Sequence, residues 1–257
     1  MSIEFDVEGH VARVTINRPE SMNAVDLASH SRLGEIWTEV EANPDIRCAV
    51  LTGAGTKSFC AGADLKENTG MTGVEYWKSI SDAGFSGIAL REMTTPVIAR
   101  VNGLALGGGL EMVLGCDIVV AASTARFGLP EARVGRVPLD GGMVLLPRIL
   151  PRNIAMGMMM TGRLIPAAEI ASHGLINSVV EPEELDAEVE LWVEDVLSCA
   201  PLSLKAIKAV SRQTSHLPVQ DAFRYPAQEL EAALVSDDAD EGVAAFRAKR
   251  PAVWRGR

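Results

Sequence analysis

Alternation of apolar and polar residues marks the first predicted element. The segment IEFDVEGHVARVTINRP, residues 3–19, alternates on both sides of Glu8-Gly9, which predicts a β-hairpin with its turn at that glycine. The spacing then changes to that of a helix, which Asp26 can cap and which Asn43-Pro44 should end. The apolar residues at helical spacing are Leu27, Leu33, Ile36, Trp37 and Val40.

Two short apolar runs follow, CAVLTG and PVIARVNG, and each is bounded by glycine or proline as buried parallel strands often are. A helical pattern over 74–93 lies between them, so the sequence predicts a strand–helix–strand crossover. The order then repeats, with a predicted helix in GLEMVLGC and predicted strands in DIVVAA and ARFG.

Beyond about residue 147 the strand signals nearly vanish. Helical patterns are predicted over 166–173, 185–199, 202–215, 218–236 and 238–248. No flexible linker occurs at Ala200-Pro201. We therefore expect an α/β protein in which residues 1–200 form the core and residues 201–257 form a helical region that packs on it and contacts a neighbouring subunit.

The composition is that of an ordinary globular protein, since 47% of the 257 residues are hydrophobic and 23% are charged. The net charge of −10 argues against a broad surface for nucleic acid or anionic membranes. The start, MSIEFDVEGH, resembles no targeting peptide, and no stretch approaches the roughly 20 apolar residues of a membrane span. Four cysteines lie far apart without CxxC spacing, which predicts reduced thiols, no metal site and a cytoplasmic protein.

Two glycine-rich loops contain the candidate chemistry. In TGAGTKSFCAGADLKE and NGLALGGGLE an apolar strand leads through glycines into a helix start, a layout that presents backbone N–H groups to negative charge. Neither loop has the GxGxxG spacing of dinucleotide-binding folds, and the GxxxxGK[ST] phosphate loop is absent from the sequence. The remaining functional interpretation is an oxyanion hole, in which each loop points one N–H at the same oxygen. The structural alternative is tight packing of helix against sheet.

The same regions, extended to SFCAGADLKE and NGLALGGGLEMVLGCDIVVAASTARFGLPEARVG, resemble the signature segments of the enoyl-CoA hydratase/isomerase (crotonase) superfamily. The likeness covers essentially the whole chain, from VTINRPESMNAVD through MTGRLIPAAEIASHGLINSVV to the C-terminus. Within the superfamily the chain is most similar to the carnitinyl-CoA dehydratases, as in QTSHLPVQDAFRY and the final PAVWRGR. The resemblance implies a spiral of ββα turns with a helical C-terminal region, assembled as a homotrimer or homohexamer.

The resemblance also implies the active-site residues. The amides that match Ala63 and Gly108 form the family's oxyanion hole, and Glu111 and Glu131 match its two hydratase glutamates. We expect Glu111 to orient and deprotonate water and Glu131 to transfer a proton at Cα. Taken singly, either glutamate has a structural alternative, such as a helix cap or an exposed surface acid. Because isomerases of the family commonly keep a single catalytic acid, two glutamates favour reversible hydration of a 2-enoyl-CoA.

Coenzyme A contacts follow from the same resemblance. Lys57 and Lys66 flank the first loop, where the family holds the adenine and phosphates, and the backbone of Ala61 and Ala63 is expected to meet the adenine. Lys249 matches a C-terminal lysine that reaches a neighbouring subunit's coenzyme A. For each lysine the alternative is an ordinary solvated side chain. Coenzyme A is expected only as part of the acyl-CoA substrate, with no metal or redox cofactor.

One position departs from the family pattern. Many members have Pro-Gly-Ala-Gly-Gly after the second glutamate, whereas this chain has PLDGG, with Asp140 in place of a small residue. One interpretation is an N-cap for the following helix, because aspartate is a good capping residue. The other is a contact with a polar or cationic acyl group.

The acyl group itself is not determined by the sequence. Its pocket depends on the stretch 68–85, on residues 139–143 and on the C-terminal helices. Similarity to carnitinyl-CoA dehydratases favours crotonobetainyl-CoA, whose trimethylammonium group needs an anion such as Asp140 or an aromatic face. The aromatic candidates are Tyr76, Trp77 and Phe85. A general short-chain enoyl-CoA hydratase, an enoyl-CoA isomerase and a non-enzymatic CoA-ester-binding scaffold are the alternatives.

Overall fold

The computed structural model describes residues 1–67 and 70–257 of the chain. In these residues the strands form one six-stranded and one four-stranded sheet. In chain order the strands are β1 (Ile3–Glu8), β2 (Val11–Ile16), β3 (Cys48–Gly53), β4 (Ser58–Cys60), β5 (Val97–Val101), β6 (Leu104–Leu106), β7 (Ile118–Ala122), β8 (Arg126–Gly128), β9 (Ile165–Pro166) and β10 (Ser178–Val180). The first sheet has the order β1-β2-β3-β5-β7-β10 and the second the order β4-β6-β8-β9.

Helices surround both sheets. In chain order they are α1 (Leu27–Ala42), α2 (Gly73–Ser79), α3 (Gly108–Gly115), α4 (Gly142–Ile149), α5 (Arg152–Thr161), α6 (Ala167–Ala171), α7 (Leu185–Leu197), α8 (Pro201–Gln213), α9 (Val219–Phe223), α10 (Gln228–Leu234) and α11 (Asp237–Ala248). Short 3₁₀ helices lie at Pro19–Ser21, Phe85–Gly87 and Glu131–Val134. None of the helices in the described ranges is long and apolar enough to cross a membrane.

The first sheet is covered on both faces, which explains its continuous apolar strands. Because successive strand residues point to opposite faces, Ala49 and Leu51 of β3 join Trp37 of α1 in the larger core. Val50, on the other face of β3, packs with Val193 of α7 in a second core. The strands β2, β3, β5, β7 and β10 are mutually parallel, and β1 is antiparallel to β2.

The first half of the predicted element order is confirmed. The hairpin pairs Ile3 with Ile16 and Glu8 with Val11. The Asp26 carboxylate caps α1 by accepting a 2.7 Å hydrogen bond from the backbone N–H of Ser29. The runs CAVLTG and PVIARVNG form the parallel pair β3 and β5, and GLEMVLGC, DIVVAA and ARFG form α3, β7 and β8.

The predicted helix over 74–93 is wrong. The chain forms only α2, which ends where Ile80 adopts a non-helical ψ of 125°, and then a short 3₁₀ helix. Gly84, Ser86 and Gly87 have φ between 54° and 69°, so a right-handed helix does not resume there. A Cβ on Gly87 would lie 2.7 Å from Cα of Gly34, so this turn packs directly on α1. The predicted acyl-pocket stretch 68–85 begins at Asn68, which lies outside the described residues.

The second half of the chain contains more elements than the sequence pattern predicts. The helix α5 and the short strands β9 and β10 were not predicted, and α4 was expected only as the helix that Asp140 could cap. The single helix predicted over 218–236 is two helices, α9 and α10, because Pro226 between them lacks the N–H that a continuous helix needs.

The second sheet positions the candidate site. Strands β4, β6 and β8 are adjacent and parallel, so their carboxyl ends meet at one edge. The loop that follows β4, the glycine run that follows β6 and the Leu129–Glu131 segment that follows β8 therefore lie side by side.

Candidate active site

The three glycines of the GGG run are each required for a different contact. Gly107 has φ of +56°, which favours glycine, and a Cβ there would lie 3.0 Å from Oε1 of Glu131. A Cβ on Gly108 would lie 2.6 Å from the ring of Phe85. A Cβ on Gly109 would lie 2.1 Å from the carbonyl oxygen of Cys60. Tight packing therefore accounts for Gly108 and Gly109, while Gly107 gives the Glu131 carboxyl access to the backbone.

Two backbone amides at this contact have no acceptor among the described residues, one in the glycine run and one on the loop after β4. A parallel bridge with Val25 uses the Gly62 carbonyl and the Asp64 N–H, both at 2.9 Å, so the N–H of Ala63 points to the opposite side. Gly108 is the first residue of α3, and its N–H has no intrahelical acceptor. Neither amide donates a hydrogen bond to any residue in the ranges 1–67 and 70–257.

The two amides lie on segments in contact. A Cβ on Gly62 would lie 3.2 Å from the Gly108 nitrogen and 3.1 Å from the Leu106 carbonyl oxygen. The glycine at position 62 therefore lets the Ala63 loop approach the start of α3. The structure brings together the two predicted oxyanion-hole donors.

Glu111 lies in the first turn of α3 and is almost fully buried, with 2% of its surface exposed. Its Oε1 accepts a 2.8 Å hydrogen bond from the N–H of Gly142, the first residue of α4. Burial raises the pKa of Glu111 to about 8, an increase that the charges of Asp140 and Glu131 reinforce and the Gly142 N–H opposes. The carboxyl group is thus held next to Glu131 in a site that favours its protonated form.

Glu131 begins the 3₁₀ helix after β8 and is half-buried. Its Oε2 has no hydrogen-bond partner among the described residues, and its Oε1 lies beside Gly107. Burial raises the pKa of Glu131, and the charge of Asp140 adds to the increase. The structure therefore places the Glu131 carboxyl next to Gly107, the residue before the acceptor-free amide of Gly108, with one carboxyl oxygen unpartnered among the described residues.

Asp140 is buried, and its Oδ2 accepts a 2.9 Å hydrogen bond from the hydroxyl of Tyr76 on α2. It does not cap α4, because that helix begins at Gly142 with Gly141 as N-cap and no side-chain cap bond. The interpretation of Asp140 as a helix cap is therefore wrong. Burial raises the pKa of Asp140, and the Tyr76 hydroxyl and the charge of His30 oppose that increase.

His30 is a site residue that the sequence interpretation missed. Its ring packs edge-on against Phe85 with centroids 5.9 Å apart, and its Nδ1 accepts a 3.2 Å hydrogen bond from the N–H of Ser86. Burial lowers the pKa of His30, while the charge of Asp140 opposes that effect. Its position three residues before Leu33 and seven before Trp37, on the apolar face of α1, is the signal that could have identified it.

The predicted coenzyme A residues lie around the first loop, except for Lys249. Lys57 and Lys66 are exposed on either side of it, and the N–H of Ala61 donates a 3.1 Å hydrogen bond to the Met22 carbonyl. Lys249 is exposed at the end of α11 with a left-handed backbone, φ 52°. The contacts of all three lysines with a ligand stay predictions.

A surface cleft lies beside Asp140. It has a volume of about 310 Å³, and its lining includes Trp77, Ile80, Leu90 and Leu139. A Cβ on Gly84 would lie 3.1 Å from the Asp140 carbonyl and 3.0 Å from Leu90, so the cleft and Asp140 share a wall. Of the aromatic candidates, Trp77 lines the cleft, Tyr76 binds Asp140 and Phe85 is buried under Gly108.

The enoyl-CoA hydratase/isomerase family model matches residues 6–257. The chain belongs to the enoyl-CoA hydratase/isomerase family. It is 40% identical over 256 residues to an (E)-benzylidenesuccinyl-CoA hydratase of Thauera aromatica, covering 100% of both chains. It is 39% identical over 261 residues to a carnitinyl-CoA dehydratase of Shigella flexneri, covering 100% of this chain and 99% of that protein.

Solved structures of the family confirm the predicted fold. An enoyl-CoA hydratase from Bacillus anthracis superposes with a TM-score of 0.92 at 33% identity, covering 100% of both chains. An enoyl-CoA hydratase from Mycobacterium tuberculosis H37Rv gives a TM-score of 0.89 at 31% identity, covering 100% of this chain and 99% of that one. The crotonase-like α/β core with a helical C-terminal region is therefore confirmed for this family member.

The buried Glu111 carboxyl should make the stability of the protein fall as pH rises. Its pKa is about 8 in the folded chain and 4.5 without the fold, so between these values the folded protein holds a proton that the unfolded chain has lost. The free energy of unfolding therefore decreases through that window. Glu111→Gln keeps an oxygen for the Gly142 N–H but cannot titrate. The Tm of the variant minus the Tm of the wild type should therefore increase from about pH 5 to about pH 8.

Thermal melts of both proteins across that range check this prediction. The gain should level off above about pH 8, where Glu111 is ionised in both states. A Tm difference that stays constant through the window would show that Glu111 is already ionised in the folded protein at the acid end.

Proposed function

We propose that the protein catalyses the reversible addition of water to a 2-enoyl-CoA thioester, which gives a 3-hydroxyacyl-CoA. The observation that supports this most strongly is the pairing of two interacting carboxyl groups, Glu111 and Glu131, beside two acceptor-free amides, Ala63 and Gly108. Family membership supports the same reaction.

The two amides form the proposed oxyanion hole. When water adds to Cβ, negative charge develops on the thioester oxygen, and the N–H groups of Ala63 and Gly108 stabilise it there. The loss of one such donor typically raises a barrier by about 3–4 kcal/mol. The position of Gly108 at the start of α3 adds the positive end of a helix to this site.

The two glutamates supply proton transfer. The ionised Glu111 accepts a proton from the attacking water while the water oxygen bonds to Cβ. The protonated Glu131 delivers a proton to Cα. The proton thus moves from Glu131 to Glu111 during hydration and in the opposite sense during dehydration. Hydration uses the form of the pair in which Glu111 is ionised and the proton lies on Glu131, although burial favours protonation of both groups. Because the two carboxyls interact, they titrate as a unit.

Coenzyme A is proposed to bind along the first loop. Lys57 and Lys66 would hold phosphates, the backbone of Ala61 and Ala63 would meet the adenine, and Lys249 would reach the coenzyme A of a neighbouring subunit. The exposure of all three lysines supports these contacts. Addition of water forms a C–O bond at Cβ and a C–H bond at Cα at the expense of the double bond, with no net oxidation or reduction, so the reaction as proposed uses no metal or redox cofactor. We place the protein in the cytoplasm, because its cysteines, two of them buried, are free.

The carboxyl pair can be tested by isosteric substitution. Glu111→Gln and Glu131→Gln should each lower kcat for crotonyl-CoA hydration by about 10²–10⁴-fold, the usual contribution of a general acid or base. Loss of the enoyl-thioester absorbance measures the rate. Glu35→Gln, the same change on an exposed side chain of α1, should leave kcat unchanged.

The alternatives give different outcomes in this assay. A scaffold that only binds CoA esters would bind the thioester without consuming it, and the wild type would then show no turnover on a panel of enoyl-CoAs. An isomerase would move the double bond without adding water, and one of the two substitutions would be nearly silent.

For the acyl group we propose a short chain that ends in a cation, as in crotonobetainyl-CoA. Asp140 supports this, because it is a buried acid beside the cleft and lies close enough to Glu111 and Glu131 to raise the pKa of both. An ionised Asp140 beside the carboxyl pair gives this end of the site a negative potential that attracts a cation and repels an anion. Arg136 is a cation whose positive charge acts on Tyr76, the hydrogen-bond partner of Asp140.

The relatives do not decide between acyl groups. A carnitinyl-CoA dehydratase and a benzylidenesuccinyl-CoA hydratase are similar to this chain at 39% and 40% identity, and their names specify different substrates. Within a superfamily the chemistry transfers better than the substrate. The local charge around Asp140 is therefore the better guide, and a plain short-chain enoyl-CoA is the alternative.

Comparison of crotonobetainyl-CoA with crotonyl-CoA tests the cationic preference. The wild type should favour the cationic substrate in kcat/KM by at least about tenfold, near 1.4 kcal/mol in transition-state binding. Asp140→Asn, which keeps an acceptor for Tyr76, should reduce that ratio, whereas Tyr76→Phe should reduce it less because the carboxylate remains. Equal use of both substrates by the wild type would identify a general hydratase.

We propose that the protein assembles as a homotrimer or homohexamer through its helical C-terminal region. Large apolar side chains there are at least 70% exposed in the single chain, and a second copy would bury them. They are Val219, Phe223, Leu234, Val235 and Phe246.

Light scattering at micromolar concentration should give the mass of three or six chains. Phe246→Glu should shift the protein toward smaller species, because burying the new charge in an interface is unfavourable. Val7→Glu, on the edge strand β1, is the matched control. A monomeric wild type would contradict the assembly and would remove Lys249 as a contact to a neighbour's coenzyme A.

A further inference from the structure

The segment Met22–Val25 holds the loop that contains Ala63. The N–H of Ala61 donates to the Met22 carbonyl at 3.1 Å, the N–H of Val25 to the Gly62 carbonyl at 2.9 Å, and the N–H of Asp64 to the Val25 carbonyl at 2.9 Å. These three bonds lie on one side of the loop and leave the Ala63 N–H on the other. The direction of that N–H is therefore set by a segment about 40 residues earlier in the chain.

This segment has a strained backbone. Met22 and Asn23 have φ of 55° and 56°, a left-handed conformation that is unfavourable for residues with a side chain. The fully buried side chain of Asn23 fixes the turn by donating to the Ala54 carbonyl at 3.0 Å and to the Ser58 carbonyl at 2.7 Å. Its Oδ1 accepts a 3.0 Å hydrogen bond from the N–H of Arg18.

The guanidinium of Arg18 links the segment to the loop. It donates to the Ala24 carbonyl at 2.6 Å and to Oδ2 of Asp64 at 3.0 Å, and it lies 3.3 Å from Oδ2 of Asp26. The side chain of Arg18 is 17% exposed, and that of Asp64 is 11% exposed. One planar group thus contacts the residues that precede and follow Val25 and the residue that follows Ala63.

We propose that Arg18 is a positioning residue for the oxyanion hole, which acts through Ala24 and Asp64 to fix the Ala63 N–H; this rests on the hydratase function proposed above. Arg18 donates no hydrogen bond to Glu111, Glu131 or Gly108 in the described ranges. Its effect is therefore on the geometry of one donor. Only a guanidinium has N–H groups in a rigid plane that can bind all three partners together.

The substitution that separates positioning from stability is Arg18→Lys. An ammonium group keeps the positive charge but cannot reach the two carboxylates and the carbonyl in the same arrangement. We expect kcat for enoyl-CoA hydration to fall by about 10–100-fold, with KM within about threefold of the wild-type value. A misplaced Ala63 N–H would stabilise the transition state less than in the wild type but would bind the substrate ground state nearly as well. Arg13→Lys, which alters the Arg13–Glu190 ion pair on the first sheet, is the matched control and should retain wild-type kcat.

Absorption spectra of a bound cinnamoyl-CoA give a readout that loss of stability would not change. Its conjugated chromophore absorbs at longer wavelength when the thioester oxygen accepts hydrogen bonds, so the shift reports the donors directly. The wild type and Arg13→Lys should show the full shift, and Arg18→Lys a smaller one at saturating ligand. Asp64→Asn, which removes the negative charge that the guanidinium binds, should show the same change to a lesser degree and is the test variant if Arg18→Lys does not fold.

The outcomes separate this proposal from the proposed function. An active wild type with an Arg18→Lys protein that has normal kcat and the full spectral shift would overturn the positioning role alone. A lowered Tm in Arg18→Lys with unchanged kcat would assign Arg18 to stability only. A wild type that shows neither turnover nor a spectral shift would overturn the hydratase function itself.

Discussion

Contact between the loop after β4 and the start of α3 is the constraint on which the rest of the site depends. At this contact a Cβ on Gly109 would lie 2.1 Å from the Cys60 carbonyl, and a Cβ on Gly62 would lie 3.2 Å from the Gly108 nitrogen. No side chain fits there, so two backbone segments meet directly. At this contact the N–H groups of Ala63 and Gly108 have no acceptor among the described residues.

The same contact determines the environment of the acids. α3 begins at Gly108, within the glycine run. Glu111 in its first turn is therefore buried, and its carboxyl group binds the start of α4. β8 pairs with β6, so its following segment brings Glu131 against Gly107. Burial of the two carboxyls, with the charge of Asp140 acting on both, raises their pKa values. One packing arrangement therefore provides both the donors and the proton-transfer groups.

Sequence patterns predicted the helices and strands whose apolar residues keep a single regular spacing. They failed where tertiary packing interrupts an element despite that spacing. The hairpin, α1 and the parallel strands β3 and β5 depend on local alternation and on Asp26, which are visible in the sequence. The absence of a helix from Gly84 to Gly87 depends on the positive φ angles of Gly84, Ser86 and Gly87 in a turn that packs against α1. Nothing local distinguishes that turn from a continuing helix, because the close approach to Gly34 is a tertiary contact.

The site shows the same limit. The glutamate pair and the two amides could be predicted because they belong to a long sequence motif. The positions of His30 and Asp140 depend instead on which segments of the chain pack against them. Asp140 was compatible with a helix cap by its neighbours in sequence, yet Glu111 from a different helix binds the start of α4 and Tyr76 binds Asp140. A capping pattern predicts that a free N–H needs a partner, but it does not determine which acid in the fold provides it.

In the proposed reaction, the location of Asp140 would link substrate choice to proton transfer. Its negative charge contributes to the raised pKa of both Glu111 and Glu131. A cationic acyl group bound beside Asp140 would offset that charge, lower the pKa of both glutamates and favour ionisation of the one that deprotonates water. A neutral acyl group would leave the repulsion in place and the pair more fully protonated. In the proposed reaction, discrimination between acyl groups therefore acts on the catalytic protons as well as on binding, and it requires no contact between the acyl group and either glutamate.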